Sequence, residues 1–328
     1  MSLSETDILP GLNASVVAGV GSMNKSEASM TYTNFSYDDL LALNQTMNDN
    51  CDKAGTTIMS LGIVGNVFVL WVWQADSSFN PSTFFIKYLA TCNLLFQVSS
   101  LSGLIDLRVG ILAGYLFSVM SAHVTLALAV SRCVAVYRPL RVHLILSRRR
   151  VIVVSVVIAC WCLLLGGSLV VMSICVVSDI ICPRFFGKAV GGVLMLILVF
   201  LSYFLPLLLM AACNVALLVK VCRRDVTSSI SNDQARASRQ RTRRLTLGVV
   251  CITTTSLLAY PVNLSVVFTT TLHYPADPLV AATVGCVGNL LLATDASVNV
   301  IYYVIFASEF RRLLVLRFTR LWGCCSRR

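Results

Sequence analysis

The sequence predicts an all-α membrane protein, a seven-transmembrane helix bundle followed by a short amphipathic eighth helix. Of its 328 residues, 57% are hydrophobic and only 12% are charged, and the mean hydropathy is +0.80. A soluble domain carries roughly a quarter charged residues, so this chain has too few to cover a soluble surface. The high apolar content also excludes a disordered chain, and the length excludes a small disulfide-dense scaffold.

Seven apolar runs lie between residues 55 and 306, and each is long enough to cross about 30 Å of hydrocarbon at 1.5 Å per residue. Strands of a membrane barrel would alternate over about ten residues, and these runs do not. The domain organisation follows: residues 1–53 are a tail, 54–306 the transmembrane domain and 307–328 an amphipathic helix with a short tail. The predicted spans cover residues 55–75, 82–105, 109–131, 151–174, 189–219, 245–272 and 279–306.

The distribution of basic residues predicts the orientation in the membrane. With the N-terminus outside, 21 lysines and arginines lie on the cytoplasmic side and 5 lie outside. Cytoplasmic loops carry this excess, so we expect a multi-pass protein of the plasma membrane with an extracellular N-terminus. The net charge of +11 is explained by these loops and by anionic lipid, and it does not indicate nucleic acid.

The N-terminal tail carries the features of an extracellular segment. It contains seven acidic residues and two lysines, and no apolar core of a cleavable signal peptide, so the first span is expected to act as the targeting signal. Four Asn-X-Ser/Thr sequons in one predicted outer tail indicate glycosylation. The acceptors are Asn13, Asn24, Asn34 and Asn44.

One short motif stands in each apolar run. The runs hold Gly65-Asn66, Asn93, Ser131-Arg132-Cys133 with Arg138-Pro139-Leu140, Trp161, Pro206, Pro261, and Ser297-Val298-Asn299 with Tyr303. In order and spacing, these motifs resemble those of the rhodopsin-like (class A) G-protein-coupled receptors along nearly the whole chain after residue 55. The resemblance implies a membrane receptor for an extracellular ligand, with a heterotrimeric G protein as partner and no enzymatic activity.

The subfamily is narrowed by three features. Asn214, the run Arg148–Arg150 and a seventh span without proline resemble invertebrate neuropeptide receptors of the FMRFamide type, and molluscan chemosensory receptors are a close competitor. The position of the amine-binding aspartate of aminergic receptors is held by Gly114. The position of the retinal lysine of opsins is held by Ala293, and the seventh span contains no lysine, so no Schiff base can form there.

By the resemblance, Arg132 meets the G protein when the sixth span swings out and opens a cavity. The family's acid before this arginine is replaced by Ser131, and its tryptophan just before the sixth-span proline by Ala259 and Tyr260. These departures predict a weaker inactive-state lock, and they keep open the alternative of a non-signalling degenerate or decoy receptor. The expected coupling and activation residues are Arg132, Arg138, Pro139, Pro206, Pro261, Asn299 and Tyr303.

Asp295 is the one acid inside a confident span, and a charge at membrane depth needs a polar cavity or partner. The family keeps an aspartate of a sodium site in span two, where this chain has Asn93. We therefore expect a polar cluster of Asn66, Asn93, Ser121, Asp295 and Asn299. It holds either a sodium ion or a protonated Asp295 bonded to Asn93; no other cofactor or metal is expected.

Three further groups of residues are predicted by position. A ligand pocket in the outer halves of the spans is expected from Asp106, Arg108, Tyr115, Tyr203, Phe268 and Tyr274. The family's outer disulfide cannot form, because Leu107 holds the third-span position; Cys51 with Cys182, or Cys175 with Cys182, are the substitutes. Residues 308–321 form an amphipathic basic helix, followed by the palmitoylation candidates Cys324 and Cys325.

The predicted function is transduction of an extracellular signal, most simply a neuropeptide, to a heterotrimeric G protein. A small-molecule chemosensory ligand is the second possibility.

Overall fold

The computed structural model describes residues 37–76, 79–102, 107–178, 187–226, 233–271 and 278–325. In these ranges the chain is helical and contains no strand. The helices are α1 (Tyr37–Trp73), α2 (Pro81–Ser102), α3 (Leu107–Tyr137), α4 (Val142–Ile145), α5 (Arg148–Ser178), α6 (Gly187–Val199), α7 (Leu205–Val226), α8 (Asp233–Thr271), α9 (Pro278–Phe306) and α10 (Ser308–Cys325).

The described part of the chain has seven helical segments that are long and apolar enough to cross a membrane. The predicted fold class, a seven-helix transmembrane bundle, is therefore confirmed. Helix α10 supplies the amphipathic eighth helix: it exposes apolar Val315, Phe318 and Trp322 beside charged Arg312 and Arg320. The seven segments are Gln45–Trp73, Pro81–Ser102, Ala113–Tyr137, Arg148–Leu169, Val193–Arg223, Thr242–Val262 and Ala282–Phe306.

Contacts between Cα atoms divide the chain into two units. In the first, Met1–Thr46, the structure describes only the start of α1; the second, Met47–Arg328, holds the remaining helices. Helix α1 begins at Tyr37, earlier than the predicted span at 55. Residues 37–53 contain no proline but are polar, so hydropathy alone did not identify them as helix.

Several other helices also extend beyond their predicted spans. Helix α3 continues to Tyr137 and α8 begins at Asp233, because the predicted spans were ended at the first arginine on that side. Helix α2 ends at Ser102 and α3 begins at Leu107, where the predicted spans end at 105 and begin at 109.

The fifth span is not a uniform α-helix. Between α6 and α7, residues Phe200–Phe204 form a π-helical turn, and Pro206 follows directly in α7. Proline has no backbone N–H and cannot continue the ordinary ladder of hydrogen bonds, and π-turns are a usual way to absorb such a break. Pro261 also stands inside a helix, but α8 remains α-helical around it.

Two apolar cores fill the bundle. One joins Trp73, Leu89, Leu128, Tyr303 and Phe310, and so brings α10 against α1, α2, α3 and α9. The Phe310 ring packs 5.8 Å from that of Trp73 and 6.2 Å from that of Tyr303, measured between centroids.

The second core is made by α2, α3, α5, the fifth span, α8 and α9. Its most buried members include Val119, Cys162, Met210 and Tyr260. The exposed surface of the spans is rich in valine and leucine, as expected where lipid and not water surrounds a helix.

Gly62 allows α1 to approach α2 and α9 closely. A Cβ atom at this position would overlap Gln97 Nε2 and Ser297 Oγ. These two atoms are joined by a 3.0 Å hydrogen bond from Gln97 to Ser297, which links α2 to α9 directly beside the α1 backbone. Small residues allow such contacts between membrane helices.

We predict that Gly62→Ala lowers the free energy of unfolding by about 1–3 kcal/mol, because the new methyl group breaks the Gln97–Ser297 hydrogen bond. The measurement is the midpoint of thermal unfolding in detergent micelles. The matched control is Gly167→Ala in α5, where an added Cβ meets no atom within 4 Å. Equal midpoints for the two variants would contradict the prediction, since alanine favours a helix equally at both positions.

Candidate functional site

A small polar cavity lies at the centre of the bundle, between α2, α3, α8 and α9. Its volume is about 10 Å³, which is the space of about one water molecule. The cavity combines one carboxyl group with hydroxyl and amide groups in otherwise apolar helices. Its lining residues are Asn93, Phe96, Ser118, Ser121, Tyr260, Leu292, Asp295 and Ala296.

Two pairs of polar side chains at the cavity are joined by hydrogen bonds. Ser121 Oγ donates to Asn93 Oδ1 at 2.7 Å. Ser256 Oγ lies 3.0 and 3.2 Å from the two carboxylate oxygens of Asp295, whose side chain is only 6% exposed. The recorded partner of Asp295 is therefore Ser256 of α8, and not Asn93 as one of the two sequence interpretations expected. Ser256 was missed because a lone serine in an apolar helix carries no signal of its partner.

Asn66 joins a second network next to this cavity. Its Nδ2 atom donates to Gln97 Oε1 at 3.1 Å and to the carbonyl of Ala296 at 3.0 Å. Gln97 is fully buried and was not identified from the sequence. The predicted polar cluster is thus divided: Asn93, Ser121 and Asp295 line the cavity, whereas Asn66 ties α1 to α2 and α9.

Arg132 lies near the end of α3 that is predicted to face the cytoplasm. Its side chain is 8% exposed, and its Nε atom has no hydrogen-bond partner. The side chains on either side of Arg132 bond to other groups: Ser131 Oγ donates to Leu128 O, and Cys133 Sγ donates to Cys213 O. Among the described residues no carboxylate pairs with Arg132. Burying a cation without a counter-charge costs free energy, so a group that paired with Arg132 would stabilise the protein.

The other predicted activation residues fall into a buried and an exposed set. Asn299 and Tyr303 of α9 are each 3% exposed, and Asn299 Oδ1 and Tyr303 Oη have no hydrogen-bond partner. Arg138 and Pro139 are exposed beyond the end of α3, where Pro139 begins a 3₁₀ turn. Burial thus separates residues inside the bundle from residues that a partner can reach.

Ala259 and Tyr260, which stand where the family has its tryptophan before the sixth-span proline, are both buried. Tyr260 reaches two neighbouring helices. Its hydroxyl donates to the carbonyl of Ser118 at 3.2 Å, and its ring lies 5.7 Å from that of Tyr203. This residue therefore contacts both α3 and the fifth span, directly before Pro261. The sequence pattern alone left open how this part of α8 is held.

The predicted ligand pocket is only partly described. Tyr203 is buried with an unpartnered hydroxyl, and Tyr115 on α3 is partly buried. Asp106 and Tyr274, and the side chains of Arg108 and Phe268, lie outside the described residues. Within the described ranges, no group of three or more histidine, cysteine, aspartate or glutamate side chains is placed to hold a metal ion.

The disulfide predictions need correction. Cys51 of α1 is bonded to Cys286 of α9, with the two Cα atoms 5.8 Å apart. The proposed pairing of Cys51 with Cys182 is therefore wrong. The reason is that α1 extends outward past the predicted first span, which places Cys51 beside the outer part of α9. Cys286 was not among the sequence candidates, and Cys182 and the side chain of Cys175 lie outside the described residues.

The modification candidates sit near the two ends of the chain. Asn44 lies within α1, and the other sequons, at Asn13, Asn24 and Asn34, lie outside the described residues. Cys324 and Cys325 are the last two residues of α10, and nothing of their side chains is described. Glycosylation and palmitoylation stay predictions.

Comparison with known proteins gives one clear relationship. No model of a known protein family matches the sequence. A Gq-coupled rhodopsin of Mizuhopecten yessoensis is 24% identical to it over 318 aligned positions, which cover 83% of this chain. The chain spans 60% of the length of that relative.

The seven apolar helices and this identity make the chain similar to a rhodopsin-like (class A) G-protein-coupled receptor. The similarity is to a family of receptors and not of enzymes, in agreement with the sequence prediction.

We predict that Cys51→Ser lowers the free energy of unfolding by about 2–4 kcal/mol, because the bond closes a long loop between α1 and α9. Thermal unfolding without reductant measures the loss. Cys222→Ser, which removes an exposed free thiol of α7, is the control and should have no effect. Peptide mapping of the unreduced protein should yield residues 51 and 286 in one crosslinked species. Free thiols at both positions would refute the assignment.

Proposed function

We propose that the chain is a plasma-membrane receptor that couples binding of an extracellular ligand to activation of a heterotrimeric G protein. The observation that carries the proposal is the buried side chain of Arg132, whose Nε atom has no hydrogen-bond partner. Two further polar atoms on α9, Asn299 Oδ1 and Tyr303 Oη, are buried without partners as well. Buried polar groups without partners are rare in folded proteins. They are explained here if the bundle has a second arrangement, in which these groups meet each other, water or a partner protein.

The G protein is proposed to be of the Gq class, since the relative is described as Gq-coupled. The cytoplasmic assignment of the Arg132 end is supported by the excess of lysine and arginine on that side. The N-terminal tail is then extracellular and glycosylated, and the arginines of α10 contact anionic lipid, with Cys324 and Cys325 acylated.

The ligand is proposed to be a neuropeptide, on the strength of the sequence resemblance to FMRFamide-type receptors. A retinal-like covalent ligand is disfavoured, because α9 contains no lysine and its position 293 is a buried alanine. A ligand acts by binding the open arrangement more tightly than the closed one.

We also propose that the central cavity binds one sodium ion. Asp295 supplies the negative charge, and Ser121, Asn93 and the unpartnered hydroxyl of Ser118 supply neutral oxygen atoms. These donors fit a hard cation, which takes oxygen ligands. A bound ion would link α2, α3 and α9 and so oppose their separation.

The coupling proposal predicts that Arg132→Ala abolishes G-protein activation. Cells that express the chain are exposed to an invertebrate neuropeptide library, and inositol phosphate accumulation is measured at matched surface expression. Arg149→Ala is the control, since Arg149 is an exposed arginine of the same cytoplasmic surface. Peptide-evoked or basal activity that Arg132→Ala removes and Arg149→Ala retains is expected. No activation in the wild-type chain at good surface expression would favour the chemosensory or decoy alternatives.

The sodium proposal predicts that the unfolding midpoint of the wild-type protein rises when sodium chloride replaces N-methylglucamine chloride. At ten times Kd, binding adds about 1.4 kcal/mol. Asp295→Asn should lose this sensitivity, whereas Thr294→Ala, at the adjacent exposed position, should keep it. If the wild type responds equally to both salts, Asp295 serves instead as a hydrogen-bonded acid.

A further inference from the structure

A buried hydrogen bond joins the inner half of α8 to α7. Thr253 of α8 is 0% exposed and Asn214 of α7 is 6% exposed. The Thr253 hydroxyl donates to Asn214 Oδ1 at 2.6 Å. Neither residue belongs to the central cavity, to the predicted ligand pocket or to the set of coupling residues given above.

The bond lies at the depth of Arg132 in the bundle. Cys133, the residue after Arg132, has its sulfur atom 3.7 Å from the carbonyl oxygen of Cys213, the residue before Asn214. One turn further along, Tyr137 Oη donates to the carbonyl of Ala216 at 2.8 Å, and Lys220 Nζ lies 5.5 Å from the Tyr137 ring centroid. These contacts hold α7 to α3 over successive turns, so Asn214 is presented to α8 from an anchored helix.

The bond is also well placed to resist movement of α8. Thr253 stands about two turns before Pro261, which interrupts the helix and allows its inner part to bend. Any outward swing about that proline separates Thr253 from Asn214.

Separation of the two residues leaves Thr253 with a hydrogen-bond acceptor but leaves Asn214 Oδ1 without its donor. Thr253 Oγ1 also lies 2.9 Å from Val249 O and 3.0 Å from Val250 O, so its hydroxyl keeps an acceptor within its own helix. Asn214 Oδ1 loses the partner that Thr253 provides, next to buried Met210 and Leu217. The cost of opening is therefore the cost of an unsatisfied amide oxygen in apolar surroundings.

We propose that Asn214 and Thr253 form a polar latch that holds α8 against α7 and so stabilises the closed bundle. The latch lies at the same depth in the bundle as Arg132, which has no carboxylate partner among the described residues. Both are positioning residues: they act on the α7–α8 interface and do not contact a ligand or G protein. The expected effect on signalling rests on the proposed function, whereas the effect on helix position does not.

The first experiment measures helix position directly. Spin labels are attached through unnatural amino acids at positions 149 and 244, because the 13 native cysteines rule out thiol labelling. Both sites are exposed and lie near the inner ends of the membrane spans Arg148–Leu169 and Thr242–Val262. Distances are recorded by pulsed electron resonance in nanodiscs for the wild type, Thr253→Val and Asn214→Leu. Each variant should raise the ratio of long to short distances about threefold, the factor expected for one average hydrogen bond in a membrane.

Two controls separate the latch from general damage. Thr254→Val removes the neighbouring hydroxyl, which is exposed and bonds to Val250 O within its own helix, and should leave the distances unchanged. Thr253→Ser keeps the hydroxyl and should restore the wild-type ratio. The double variant Asn214→Leu/Thr253→Val should shift the ratio no further than either single variant, because both remove the same bond.

Unchanged distances in Thr253→Val, or equal shifts in Thr253→Val and Thr254→Val, would overturn the latch. The second readout, basal G-protein activation, should rise with the distance shift. A distance shift without any G-protein response would leave the latch standing and count against the proposed function. Loss of folding is detected by gel filtration, and valine matches the shape of threonine, so a folded Thr253→Val protein is expected for the decisive comparison.

Discussion

The structure depends on one constraint: polar side chains buried between apolar helices must find partners within the protein, since hydrocarbon offers none. Asn66, Gln97 and Ser297 meet this constraint by joining α1, α2 and α9, and they require the close approach that Gly62 permits. Asp295 meets it through Ser256 of α8. Each such bond fixes two helices relative to each other, so the polar residues specify the arrangement that lipid-like apolar surfaces cannot specify alone.

Two parts of the bundle differ in how far their buried polar groups have hydrogen-bond partners. Around Asn66 the polar groups are satisfied, and the Cys51–Cys286 bond adds a covalent link between α1 and α9. Around Arg132, Asn299 and Tyr303, buried polar atoms lack partners. A helix bundle that keeps such unsatisfied groups has free energy to gain from a second arrangement, which is the physical requirement for a two-state receptor.

The residues that depart from the family's motifs make contacts of their own in this structure. Ser131 leaves Arg132 without a neighbouring acid. Ala259 and Tyr260 stand where the family has a tryptophan, and the Tyr260 hydroxyl donates to the Ser118 carbonyl. The aspartate of the central cavity stands on α9, while Asn93 on α2 pairs with Ser121. The chain therefore has a buried carboxyl group at the centre of the bundle, but this group stands on a different helix from the one the resemblance implies.

The sequence by itself determined the number of spans, the resemblance to rhodopsin-like receptors and part of the polar core, namely Asn66, Asn93, Ser121, Asp295 and Asn299, whereas Gln97 and Ser256 were missed. These follow from hydropathy, charge asymmetry and motif spacing, which are local properties of the chain. Only the tertiary structure decided the pairings, such as Asp295 with Ser256, Cys51 with Cys286 and Asn214 with Thr253. Each joins residues that are 39 or more positions apart, so the bond depends on how helices rotate and pack, and no periodicity within one helix encodes it.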